Sequence, residues 1–109
     1  MRPRAPRLGP TSADLLDASS QPYFLWWTDV TVGELHRKIS TGTDDERAYW
    51  IGALLREANS RDVWLFVQPE DVRALWPSVL RHLGRTRAMW AWLLGMPDAP
   101  WPPVEARRA

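Results

Sequence analysis

Two four-residue strings, TVGE at Thr31–Glu34 and TDDE at Thr43–Glu46, constrain this chain most, because each sets a helix start to within one turn. In both, a threonine hydroxyl can accept from the backbone N–H three residues on, while the glutamate carboxylate reaches back to the threonine N–H. That reciprocal pattern is a capping box. PED at Pro69–Asp71 adds a third start: proline needs no hydrogen-bonded N–H at the first helical position, and the acids complement the helix dipole. Helix starts are therefore predicted near 31, 44 and 69. Asn59 and Gly84 are placed as left-handed residues that stop helices.

Between these marks the chain reads as short helices: Ser12 to Ala18, Val32 to Ser40, Asp44 to Ala58, Arg61 to Val67, Pro69 to Trp76 with a continuation after Pro77 to about His82, and Thr86 to Leu94. PYFLWW (Pro22–Trp27) is expected to be extended or irregular, because Pro22 disfavours a helix running through it. DVWLFV (Asp62–Val67) has the composition of a buried strand. No second strand candidate of comparable strength exists to pair with it, so helix is preferred. The predicted fold is all-α, a compact bundle of about five short helices. Seven of the ten prolines lie at the two ends. Residues 1–13 and 96–109 are accordingly expected as disordered or loosely docked Pro/Arg-rich tails on a helical domain of 14–95.

With 109 residues and no cysteine, the chain is read as one domain near the lower size limit for a single hydrophobic core, without disulfides or thiolate metal sites. Its composition fits a cytoplasmic protein. No apolar run approaches the ~20 residues that cross a bilayer, and a signal peptide's apolar segment is missing from the N-terminus. The net charge of +1 advertises neither nucleic acid nor membrane. His36 and His82 lack ligand partners at metal spacing, and the TDDER carboxylates fit helix capping better than metal binding. No phosphate loop or nucleophile motif is present. The expectation is a protein that is not an enzyme, with no cofactor and no metal.

The eight tryptophans divide into two groups. Trp50, Trp64, Trp76 and Trp90 are assigned to the core, where each buries ~150–250 Å². In the last helix Met89, Trp90, Leu93 and Leu94 form the predicted inward face, from which Trp92 points about 100° or more away. Trp26 and Trp27 are adjacent and cannot both face inward. Trp26, Trp27 and Trp92 are therefore the candidate partner-binding aromatics, with Arg85 and Arg87 beside them, since exposed aromatics and arginine make interface hot spots. Trp101 lies in the C-terminal tail and is expected to be disordered. Arg47 projects onto the apolar stripe of the helix at 44–58 and is expected to reach Glu34 or Asp29.

A second reading gathers Arg81, His82, Arg85 and Arg87 around the Gly84 turn as a nucleic-acid-binding cluster, with Trp92 able to stack on a base. A third closes a homodimer through Trp26, Trp27 and Trp92.

The strings YFLWWTDVT (Tyr23–Thr31), ERAYWIGALLREANSRDVWLFVQPEDVRALWP (Glu46–Pro77) and HLGRTRAMWAWLLG (His82–Gly95) together resemble a family of small bacterial helical proteins whose genes commonly lie beside nucleotidyltransferase toxins of the AbiEii type. The resemblance spans nearly the whole predicted helical domain and rests on structural residues. It implies an antitoxin-like module that binds a nucleotidyltransferase encoded by the adjacent gene and occludes its active site. It supplies no catalytic residue. The Pro/Arg-rich tails depart from the family pattern.

Overall fold

Both threonine capping boxes form. Thr31 Oγ1 accepts from the Glu34 N–H at 3.2 Å, and Glu34 Oε1 accepts from the Thr31 N–H at 2.8 Å. Thr43 and Glu46 repeat the exchange at 3.1 and 2.9 Å. These backbone bonds hold both glutamate carboxyls below their ordinary pKa. The computed structural model describes residues 9–98. Six α-helices follow in order: α1 (Val32–Thr41), α2 (Asp44–Glu57), α3 (Ser60–Val63), α4 (Pro69–Ala74), α5 (Trp76–Leu80) and α6 (Arg87–Leu94). Short 3-10 turns lie at Ala13–Leu16 and Gly84–Thr86. The described residues hold no strand, and the architecture is an all-α bundle.

Helix α2 is the axle of the bundle. It carries eight uncharged residues in a row, Ala48 to Leu55, and α1 and α5 both pack on it. By helical spacing alone, Trp50, Ile51, Leu54, Leu55 and Ala58 share one apolar stripe of this helix. Being covered on two sides, α2 instead buries Ala48, Ile51, Gly52, Ala53, Leu54 and Leu55, while Trp50 and Ala58 are only partly buried. Gly52 permits the closest approach: a Cβ there would stand 2.4 Å from His82 Cβ at the end of the α5 segment.

Prolines and caps set the remaining boundaries. Pro69 opens α4 at its first position. The helix breaks at Leu75, because Pro77 has no N–H to continue the ladder and sits instead in the first turn of α5. Gly84 is left-handed at φ +53°, as expected, but it opens the 3-10 turn at Gly84–Thr86 and does not stop α5, which ends at Leu80. Asn59 is not left-handed: at φ −61°, ψ 135° it is extended, and its side chain accepts from the Arg61 N–H to start α3. The DVWLFV segment leaves the helix after Val63 and turns through Phe66. Arg47 reaches neither Glu34 nor Asp29. Its Nε donates to the Ile39 carbonyl at 2.6 Å, near the end of α1, with Asp44 at 3.9 Å.

The stretch between Pro22 and Val30 is irregular, as predicted, and folds Phe24 and Leu25 into the core. The preceding loop closes the start of α1, where the Ala18 and Ser20 carbonyls accept from the Gly33 and Val32 N–H groups. Among the described residues, contacts extend beyond Asp14 and Gly95. Thr11 bonds to Asp62, Trp76 Nε1 donates to the Pro97 carbonyl at 2.9 Å, and Arg87 pairs with Asp98 at 2.8 Å. The outer tails, Trp101 among them, lie outside the described residues.

Candidate interaction surface

Helix α6 has two unlike faces. Trp90, Ala91 and Leu94 are buried, and Trp90 Nε1 donates to the Leu55 carbonyl at 2.8 Å, satisfying the indole inside the core. Trp92 is 80% exposed, Leu93 51% and Met89 46%. Met89 and Leu93, assigned above to the inward face, thus join Trp92 on the outside. Ala91 takes the inward place because a helix of only two turns buries what its neighbours cover, and Trp90 beside it is already fixed to α2. Gly95, left-handed at φ +67°, ends the helix.

Trp64 was assigned to the core and is instead 39% exposed. It meets Trp90 edge-on, ring centroids 5.9 Å apart. Together with Leu93, Leu94, Pro69 and the arginines Arg61 and Arg73 it lines a groove of about 460 Å³ between α3, α4 and α6, with Trp90 at its base. Sequence reasoning missed this groove.

The other aromatic pair sits elsewhere. Trp26 is 74% exposed and rests edge-on against the partly buried Trp27, centroids 5.4 Å apart. The Arg56 guanidinium stands over Trp27 at 5.8 Å and donates through Nη1 to the His82 carbonyl at 2.7 Å. This bridge ties the Trp26/Trp27 corner to the Gly84 turn. No aromatic contact among the described residues joins that corner to Trp92.

The cation cluster around Gly84 is smaller than its sequence suggests. Arg87 is paired with Asp98. His82 is half-buried against Gly52 and Tyr49, and burial, followed by the charges of Arg81 and Arg56, pushes its imidazole below the ordinary value, which favours the neutral ring. Arg81 and Arg85 remain exposed and carry the charge of the turn. His36 lies on the exposed side of α1 and stacks on Phe66 with centroids 4.5 Å apart, and its partial desolvation there lowers its pKa as well.

Among the described residues no three His, Cys, Asp or Glu side chains gather as a metal-binding set, and no helix is long and apolar enough to cross a membrane. Comparison with protein-family models, with curated proteins and with solved structures returns no match.

Proposed function

We propose that this chain is an antitoxin-like protein-binding module that neutralises a nucleotidyltransferase, the product of an adjacent gene, by occluding its active site. The observation that carries the binding role is the outer face of α6, where Met89, Trp92 and Leu93 stand side by side in solvent. Covering a tryptophan alone removes ~150–250 Å² of surface from water, roughly 4–6 kcal/mol gross at ~25 cal/mol per Å². The nucleotidyltransferase is named on the sequence resemblance. Occlusion asks for adhesive surface and a rigid support, and Trp90, locked to α2, supports the α6 face from behind.

Co-expression of the tagged chain with the neighbouring gene product, followed by purification at about 0.5 M salt, a concentration that screens exposed charge pairs, tests this directly. A stable heteromeric complex of defined mass is expected. Recovery of the chain alone would remove the assignment.

One observation favours a second reading, an operator-binding regulator. The exposed Arg81 and Arg85 stand at the Gly84 turn, to which Arg56 links the Trp26/Trp27 corner. Stacking plus phosphate contact would then act at this corner, with Arg87 and His82 withdrawn from it.

A further inference from the structure

Resting on the binding role above, we propose that the groove between α3, α4 and α6 receives an acidic, apolar peptide segment of the protein partner. Its walls are apolar, made by Trp64, Pro69, Leu93 and Leu94, and its charged lining is two arginines with no carboxylate. Both arginines are held in place through Nε. Arg61 donates to the Gly9 carbonyl at 2.5 Å and Arg73 to the Leu94 carbonyl at 3.0 Å. Neither has an ion-pair partner among the described residues, whereas Arg47, Arg56 and Arg87 all do.

This arrangement selects its occupant. An apolar segment without charge would cover the groove and strip water from two guanidinium groups with nothing in return. Carboxylates beside the apolar anchors restore those interactions through the free Nη donors. The N-terminal segment of this chain, residues 1–8, adjoins Gly9 but carries three arginines and no acid, so like charge opposes it as an occupant. Single-stranded nucleic acid would find two arginines for its phosphates. A base could stack on Trp64, but base edges would find only Ser60 beside the aliphatic Pro69, Leu93 and Leu94.

The test uses the full chain and three fluorescent probes: an amphipathic peptide of about twelve residues with leucines on one face and glutamates along its edges, the same peptide with lysines for glutamates, and an oligothymidine. The glutamate peptide is expected to bind and to shift the Trp64 indole N–H resonance. Arg61→Glu combined with Arg73→Glu should weaken it about tenfold or more and admit the lysine peptide, a reversal that follows from charge complementarity. Leu93→Asp changes an exposed wall residue without touching either anchoring bond, and should also abolish binding if the double variant misfolds. Equal binding of the two peptides, binding of neither, or preference for oligothymidine overturns the proposal, as does a dimer in solution that blocks the groove and dissociates in Leu93→Asp.

The two readings fail separately. If the nucleotidyltransferase complex forms and withstands the arginine reversal, the groove assignment falls and the binding role, carried by the outer face of α6, stands. If the glutamate peptide binds as described and no nucleotidyltransferase is retained, the groove assignment stands and the toxin assignment falls.

Discussion

Asp62 is the one fully buried charged side chain among the described residues. It survives burial because its acceptors are used: Thr11 donates through N at 2.8 Å and through Oγ1 at 2.5 Å, and Tyr23 OH donates at 2.7 Å. Tyr23 OH in turn accepts from the Asn59 N–H. Burial alone would raise the Asp62 carboxyl, but these bonds outweigh it and hold it below 3.8. As pH falls, the unfolded chain therefore takes up this proton before the folded chain does. The Asp62 contribution to stability is complete above 3.8 and is lost on acidification through the lower folded value. Urea unfolding across an acid pH series should show that loss in the native chain and a flatter acid limb in Asp62→Asn. Asp62→Ala leaves three donors short of a partner and should cost about 2–4 kcal/mol at neutral pH. A smaller penalty, or an unchanged acid limb, would mean that water replaces the carboxylate. The sequence offers no sign of this cluster, since its members stand 39 and 51 positions apart and only the fold joins them.

Helix boundaries were legible where the cause is local. The capping boxes at Thr31 and Thr43, the proline start at Pro69 and the left-handed conformation of Gly84 each depend on a few neighbouring atoms, and each formed as read. Helix faces were not. Over the two turns of α6 many faces satisfy a periodic pattern, so the choice of Ala91 over Leu93 rests on what α2 and the C-terminal segment cover. The same holds for Arg47, whose nearest partner is a backbone carbonyl that no charge pattern could indicate. The α2–α5 contact gives a prediction of its own. Alanine is normally favoured over glycine inside a helix by ~1 kcal/mol. At Gly52 the added methyl meets His82 Cβ, an atom fixed to its own backbone, so α5 must shift. Gly52→Ala should lower stability by about 1–3 kcal/mol, read by thermal or urea unfolding. A stabilised variant would show that the end of α5 yields freely.

At the scale of the whole molecule, a small core built from Trp76, Trp90 and the axle helix leaves other large apolar groups outside, and their placement separates the two readings of function. The exposure of Trp26 and Trp92 was legible, because adjacency and helical angle forbid burying them with their neighbours. The groove was not, since three separate helices build it. Trp92 lies on α6, while the exposed Arg81 and Arg85 stand at the Gly84 turn, which Arg56 links to the Trp26/Trp27 corner, so the readings predict different responses. In a complex held by the α6 face, Trp92→Ala should cost about 2 kcal/mol or more of binding and leave the unfolding midpoint almost unchanged, because an 80% exposed side chain supports little of the core. Arg81→Ala with Arg85→Ala should leave that affinity near native. Raising salt from about 0.1 to 0.5 M should likewise weaken an aromatic interface only mildly. Nucleic-acid binding reverses every term: affinity falls steeply and linearly in log salt, the arginine pair lowers both affinity and slope, and Trp92→Ala has little effect. Measured on the same chain, affinity, salt slope and the two variants therefore assign the working face to α6 or to the Gly84 turn.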